Sequence, residues 1–225
     1  MHKNTLLFLA LMPLTAAAGD PFAGTYVGAQ FGYLEGRDNG VEYDEGGLGG
    51  ATQQTEPSGA VLGLVAGYNI AINPHLILGL ETDLEVAVAN DTSLSMEAGV
   101  ADAEYPVTTE VRGAFSLRPR LGYLFNSDQS LVFVTAGFAM ANIKRTFESL
   151  NTTPPSESGS EWQAGWTAGL GLEHLIGRNL SAKIEYRYTD LGSTDFSTAL
   201  VYGDGDVEKQ DYTDQAVRFG LLYHY

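Results

Sequence analysis

The sequence predicts an all-β protein, an eight-stranded antiparallel up-and-down transmembrane β-barrel. Three observations predict this fold. Apolar and polar residues alternate with period two in eight segments, short and long connections alternate between those segments, and the chain ends on an aromatic strand. Period-two alternation gives a sheet one apolar and one polar face. Short turns at one end of a barrel and long loops at the other are typical of barrels that span a membrane.

The first 18 residues are expected to be a signal peptide, followed by a single barrel domain over residues 19–225. Lys3 precedes an apolar run over residues 6–14, and three consecutive alanines end at Ala18. This order of a positive region, an apolar region and a small-residue cleavage site is that of an export signal. The apolar run is shorter than the ~20 residues that a membrane-spanning helix needs. Export is therefore favoured over an N-terminal anchor.

Composition narrows the function classes. The chain has 225 residues, no cysteine, 27 glycines and a formal net charge of −16. The absence of cysteine excludes disulfides and thiolate chemistry. The negative charge argues against a nucleic-acid partner, because phosphates demand a basic surface. A mean hydropathy near zero fits a membrane barrel, whose alternating faces cancel in the average.

Eight segments carry the alternation. They cover residues 24–33, 59–70, 76–87, 109–125, 131–145, 161–174, 180–190 and 214–225. In the third segment the leucines face one way, while Glu81, Asp83 and Glu85 face the other. The fifth segment is the weak case, because residues 131–138 are apolar on both faces. Pro119 lies inside the fourth segment and has no N–H to donate, so it predicts a bulge or a local break.

The connections predict the topology. Short connections (71–75, 126–130 and 175–179) hold turn formers such as asparagine and glycine, while the long ones (34–58, 88–108, 146–160 and 191–213) are rich in Gly, Ser, Thr and acid. We expect the long loops to be extracellular and both termini to be periplasmic. Aromatic girdles are expected at both membrane interfaces. Their members would be Tyr33, Phe115, Trp162, Tyr186 and Tyr188 at the loop side, and Tyr68, Tyr123, Phe125, Tyr223 and Tyr225 at the turn side.

The last nine residues form the most informative strand. Its apolar or aromatic residues recur at every second position and would face lipid: Val217, Phe219, Leu221, Tyr223 and Tyr225. A soluble sheet rarely leaves such an edge exposed, whereas a closed barrel has no free edge. The ending resembles the C-terminal assembly signal of bacterial outer-membrane barrels, with Tyr225 where Phe is usual.

Twelve charged residues are predicted to face the lumen as an ion-pair network. The acids are Glu81, Asp83, Glu85, Glu110, Glu173 and Glu185, and the bases are Arg112, Arg118, Arg120, Lys183, Arg187 and Arg218. Inward charges must be paired, since burying an unpaired ion costs several kcal/mol. Arg218 is expected to meet Glu185 or Glu173. An eight-stranded barrel is wide enough only for side chains, so a plugged interior is predicted rather than a pore.

No catalytic, cofactor-binding or metal-binding residues are predicted. The histidines beyond the leader (His75, His174 and His224) have no spacing that suggests shared ligation. No nucleophile elbow or phosphate loop occurs. Acids greatly outnumber bases in the long connections, where Arg37 and Lys209 are the only bases. A self-repelling solvated surface is the simpler interpretation, and weak Ca²⁺ or Mg²⁺ binding at residues 42–45 and 204–214 is the alternative.

Three motifs carry a family resemblance. Residues 26–33 (YVGAQFGY), 118–123 (RPRLGY) and 186–192 (YRYTDLG), together with 165–171 (GWTAGLG), resemble the opacity-type, OmpA-like outer membrane protein β-barrel domain family. That resemblance implies surface antigens, adhesins or envelope-stabilising proteins, some of them named porins. No peptidoglycan-binding domain is expected after Tyr225.

The predicted role is therefore structural, antigenic or adhesive, with a narrow porin-like channel for small solutes as the alternative. A lipid-modifying enzyme lacks a supporting constellation, and a lipocalin-like barrel would invert the charge pattern. Expected partners are outer-membrane lipid, lipopolysaccharide and the barrel-assembly machinery, with host or envelope proteins contacting the loops. The chain is expected to be a monomer.

Overall fold

The structure, a computed structural model, describes residues 21–44, 47–97, 99–149, 156–197 and 207–225. The expected signal peptide therefore lies outside the described residues. Nine strands make up most of the described chain: β1 (Gly24–Asp44), β2 (Gly47–Thr55), β3 (Ser58–Asn73), β4 (Leu76–Glu97), β5 (Val100–Phe125), β6 (Ser130–Glu148), β7 (Ser156–Leu175), β8 (Leu180–Ser197) and β9 (Val207–His224). Within those ranges there is no helix long and apolar enough to cross a bilayer.

The strands form one antiparallel sheet that closes on itself. From β3 onward each strand pairs with the next, and β1 closes the ring by pairing with β9, from Tyr26↔His224 to Tyr43↔Val207. Closure removes the free edges that would otherwise template aggregation. The predicted all-β antiparallel barrel is confirmed.

Nine strand segments occupy eight positions around the ring. The pairing of β1 with β2 ends at Asp38↔Thr55, and its pairing with β3 begins at Glu35↔Ser58 in the same register. β2 and β3 are thus one path interrupted at Pro57, which has no N–H to donate to a ladder. The sequence prediction of eight strands missed this interruption.

Pro119 does not produce a bulge. It lies in β5, where it pairs with Leu80 of β4, and the β5–β6 ladder skips Arg118 and Pro119 without changing register. A strand residue directs both its N–H and its C=O toward a single neighbour, so the missing donor affects one ladder only. The prediction of a bulge or a local break at this proline is therefore met by a local break. A bulge in β5 lies elsewhere, between Val111 and Gly113, where the β5–β6 register shifts.

Strand pairing continues through most of the predicted long loops. β1 extends to Asp44, and β4 and β5 run to a turn at Gly99. The strand segments predicted from the sequence therefore end too early at this side of the barrel. The strands continue as extended hairpins because paired strands satisfy each other's backbone groups. We call this side of the barrel the loop end and the side with the short turns the turn end. The turn at residues 126–129 has three consecutive left-handed residues, Asn126, Ser127 and Asp128.

The outward face is apolar along the middle of the barrel. On β9, Val217, Phe219, Leu221, Tyr223 and Tyr225 are all exposed, whereas Arg218 and His224 point inward and are buried. Outward rings lie toward both ends of the apolar band, with Tyr33 and Tyr186 on the loop side and Tyr123 and Tyr223 on the turn side. The apolar side chains thus lie on the outer wall.

The interior is filled in layers. The turn end is closed by apolar side chains: Phe22, Ile77, Leu124 and Leu131. On its loop side follows a layer of buried charged side chains, which we call the charged layer: Glu81, Asp83, Glu85, Arg118, Arg120, Glu173, Lys183, Glu185, Arg187 and Arg218. Still closer to the loop end lies an apolar layer, which we call the upper apolar layer and which includes Leu34, Val61, Ala141, Ile143 and Leu191. A smaller polar layer and an apolar cluster of Val107, Phe147 and Phe196 complete the loop end.

Candidate functional site

The charged layer is organised around Arg118 of β5. Its guanidinium donates to Glu81 Oε1 at 2.7 Å and to Asp83 Oδ2 at 2.8 Å, both on the adjacent strand β4, and also to Glu185 on β8. The Arg118 side chain has 0% exposure. A planar guanidinium with five donors suits this position, because it can serve several carboxylates at once.

Two β8 cations complete the centre of the charged layer. Arg187 donates to Asp83 Oδ2 and to Glu185 Oε2, each at 3.0 Å. Lys183 Nζ lies 3.0 Å from Glu81 Oε1. Each of these carboxylates therefore contacts more than one cation, as buried acids require.

Arg218 of β9 pairs with Glu85 of β4. Its Nε and a terminal nitrogen donate to the two carboxylate oxygens at 2.7 and 2.8 Å, and Gln30 donates to Glu85 Oε1 at 2.9 Å. The two ion-pair partners are 133 residues apart in the chain. The expectation that Arg218 meets Glu185 or Glu173 is wrong, because its side chain reaches across the lumen instead of along the neighbouring strand.

Arg120 lies in the part of the charged layer that is nearest to the turn end. It donates to Glu173, and its guanidinium carbon lies 4.0 Å from the centroid of the Phe133 ring, a cation–π geometry. Tyr26 donates to Glu81 Oε2 at 2.8 Å and links this region to the centre. A Cβ on Gly171 would lie 2.3 Å from the Phe133 ring. The absence of a side chain at residue 171 therefore leaves the space that this ring occupies in the lumen.

Ser181, His224 and Glu173 meet near the turn end. His224 Nε2 lies 2.9 Å from Glu173 Oε1 and 3.0 Å from Ser181 Oγ. In a catalytic triad the acid and the serine contact opposite ring nitrogens, whereas here both contact the same nitrogen. All three side chains are buried. The cluster has the composition of a triad without its geometry.

Glu110 and Arg112 do not join the lumen network, so their predicted inward positions are wrong. The bulge at Val111 inserts one residue into β5, and beyond it the side-chain alternation is reversed,. Both residues consequently point outward. Arg112 Nη2 lies 3.3 Å from Glu110 Oε2, and Lys144 Nζ lies 3.1 Å from the same oxygen.

One interior ion pair lies outside the charged layer and was not predicted from the sequence. Arg145 of β6 donates to both carboxylate oxygens of Asp38 on β1, at 2.7 and 2.8 Å, and Thr109 donates to Asp38 at 2.9 Å. Asp38 was assigned to a loop, and Arg145 ended the fifth segment, whose residues 131–138 are apolar on both faces. The charges at that end were the available signal, because Arg145 follows Ala141 and Ile143 at alternate positions and is thus assigned to the same face.

Little space remains inside. A cavity of about 20 Å³ lies between the charged layer and the upper apolar layer, where Asp83, Glu85 and Arg218 face Leu34 and Val61. That volume has room for a single water molecule at most. At the loop end, a larger cavity of about 210 Å³ is lined by acids that include Glu42, Glu97, Asp102 and Glu208. Its lining gives this mouth a negative character.

The predicted cation sites are only partly described. Glu45, Asp204 and Asp206 lie outside the described residues, and the side chain of Asp44 is not described. Asp214, which was grouped with the loop acids, points inward and is buried beside the charged layer. Within the part of the chain that the structure describes, no three His, Cys, Asp or Glu side chains are placed to hold a metal ion.

The sequence matches the family described as "Outer membrane protein beta-barrel domain" over residues 5–225. The chain belongs to this family. As an outer membrane β-barrel domain, it is 32% identical over 219 residues to the 31 kDa outer-membrane immunogenic protein of Brucella melitensis, covering 94% of this chain and 88% of that protein. It is 28% identical over 215 residues to the 25 kDa outer-membrane immunogenic protein of Brucella abortus, covering 95% and 84%.

A solved barrel has the same fold. The outer membrane protein OprG from Pseudomonas aeruginosa matches with a TM-score of 0.59 at 13% identity, covering 92% of this chain and 99% of that one. Identity this low shows the fold alone. The family resemblance predicted from the strand motifs is confirmed, and the chain is an outer-membrane β-barrel protein.

Proposed function

We propose that this outer-membrane protein acts as a structural and interaction protein, with a lumen closed to solutes and a loop end that faces the outside of the cell. The observation that carries the proposal is the filled interior. The charged layer is sealed below by the turn-end apolar side chains and above by the upper apolar layer. A solute would have to break several buried ion pairs to pass.

The relatives support a role at the cell surface. Two of them carry the word immunogenic in their names, which is a statement about those proteins. By analogy, we propose that the loop end of this barrel is its exposed surface and that both termini are periplasmic. The acidic mouth would then repel anionic solutes and favour partners with basic or hydroxylated groups.

Other proposed partners follow from the outer wall. The apolar band would contact outer-membrane lipid, with lipopolysaccharide around the loop side. The alternating C-terminal strand, from Val217 to Tyr225, would be recognised by the barrel-assembly machinery. Host or envelope proteins would contact the loop end, and the barrel would act as a monomer without cofactor or catalysis.

Planar-bilayer recording tests the closed lumen. The protein, refolded in detergent and shown to be folded by heat-modifiable gel migration, would be inserted into bilayers at several voltages. We expect no discrete conductance steps, because buried ion pairs and apolar side chains of the described residues fill the lumen. Reproducible unitary steps from the folded sample would refute the closed lumen and favour the narrow porin-like channel.

A further inference from the structure

The interruption between β2 and β3 creates a cavity in the outer wall. Gly36 and Arg37 of β1 lie between the two ladders, and the Gly36 N–H donates to Pro57 C=O at 2.8 Å. Around this point lies a cavity of about 440 Å³, which we call the notch. Small-molecule sites generally occupy about 300–1,000 Å³.

Polar side chains line the notch: Glu35, Arg37, Glu56, Ser58, Tyr188 and Gln215. Hydrogen bonds already orient several of them. Tyr186 donates to Gln215 Oε1 at 2.9 Å, and Gln215 donates to Glu35 Oε2 at 3.4 Å. Arg37 donates to Glu56 Oε1 at 3.2 Å. Prior ordering reduces the entropy lost when a ligand binds.

An aromatic surface completes the notch. The Tyr188 ring lines it and lies 5.6 Å from the Trp166 ring, measured between centroids. On the membrane side, the next outward residues along β1 and β9 are Tyr33 and Val217, which belong to the apolar wall. The notch is therefore at the upper edge of the apolar band.

We propose that the notch binds a saccharide with neutral or amine-bearing rings. Carboxylates, an amide and hydroxyls offer the mixed acceptors and donors that sugar hydroxyls require. The Tyr188 face supplies an apolar surface for the C–H face of a sugar ring. A phosphate is disfavoured, because Glu35 and Glu56 both face the notch and its one cation, Arg37, is already paired with Glu56.

Two kinds of molecule would supply a saccharide of this chemistry. One is the sugar portion of a glycolipid in the same membrane, whose acyl chains would lie along Tyr33 and Val217. The other is a soluble glycan. The glycolipid source rests on the proposed surface orientation of the loop end, whereas the binding chemistry does not.

Titration of the folded barrel with a glucosamine disaccharide in detergent tests the proposal. Calorimetry would measure affinity, and Trp166 fluorescence would report stacking on its neighbour Tyr188. Tyr188→Ala and Arg37→Ala are expected to weaken binding by about tenfold or more. Tyr188→Phe, which keeps the ring, should restore most of the affinity. Gel migration would confirm that each variant folds.

Arg112→Ala is the matched control, since Arg112 is an outward arginine paired with a glutamate at 3.3 Å, as Arg37 is at 3.2 Å. It should leave the affinity unchanged. Equal loss in both arginine variants, tighter binding of inorganic phosphate, or no saturable binding of any sugar would overturn the proposal.

Vesicles distinguish the sources. The barrel would be reconstituted in phospholipid with and without lipopolysaccharide. Fluorescence that changes only with lipopolysaccharide, and not in Tyr188→Ala, would assign the site to membrane glycolipid. A response to the soluble disaccharide in plain vesicles would assign it to a free glycan. Sugar binding is measured in detergent, whereas the closed lumen is tested by bilayer conductance. A failure of the saccharide proposal is therefore distinguishable from a failure of the proposed function.

Discussion

Arg118 lies at the centre of the buried charged layer. Three carboxylates from two strands contact its guanidinium, and its side chain is fully buried. Buried ion pairs contribute little net stability when complete, but removing one partner leaves uncompensated charge. The arrangement therefore makes the barrel sensitive to the loss of a single cation.

Arg118→Met is expected to lower the free energy of unfolding by about 3–5 kcal/mol, because Glu81, Asp83 and Glu185 each lose a partner. Urea unfolding of the refolded barrel in detergent would measure the change. Arg112→Met is the control, since this arginine is 51% exposed and its loss should change stability by less than about 0.5 kcal/mol. A similar loss of unfolding free energy in the two variants would contradict the prediction, because the buried arginine would then contribute no more than the exposed one.

β9 shows how one strand serves both faces of the wall. From Val217 onward its outward residues are apolar or aromatic, while Arg218 and His224 on the opposite face join the interior network. This division follows from period-two alternation. β5 shows the opposite case, because its bulge shifts the alternation and moves two charges from the lumen to the outside.

Leu221→Arg on β9 is expected to destabilise the barrel in bilayers by about 2–4 kcal/mol, since it places a charge on the lipid face. Leu94→Arg is the control on β4, because Leu94 is an outward leucine near the loop-end turn. Denaturant titrations in lipid vesicles would compare the two variants. An equal loss of unfolding free energy in the two variants would contradict the assigned position of the apolar band.

At the scale of the whole molecule, the barrel is a closed wall around a layered interior with distinct ends. The turn end is sealed by apolar residues and the loop end has an acidic mouth. This asymmetry is consistent with the proposed role, in which the loop end faces the outside of the cell and the lumen is closed.

Cysteine labelling on intact cells would test the orientation, because the chain has no cysteine of its own. Val100→Cys, at an exposed residue beside the loop-end turn, should react with a membrane-impermeant maleimide. Arg178→Cys, in the turn at residues 176–179, should react only after the outer membrane is permeabilised. The reverse pattern would overturn the proposed orientation.

Alternation along the strands was sufficient to predict most of the barrel. The strand period of two assigns faces without knowledge of the partner strands, so Glu81, Asp83, Glu85 and Arg118 could be placed inside. The same rule failed for Glu110 and Arg112, because one inserted residue reverses every face beyond it. The missing N–H of proline predicted the local break at Pro119, but the interruption at Pro57 lay in a segment that was assigned to a loop.

The sequence by itself determined the fold class, the apolar outer face and the charged interior, because these depend on local alternation. Only the tertiary structure decided which charges meet. Arg145 and Asp38 are 107 residues apart, and Arg218 reaches Glu85 rather than a neighbouring strand. Such pairings depend on ring closure and on register across the lumen, which bring together residues that no local pattern relates.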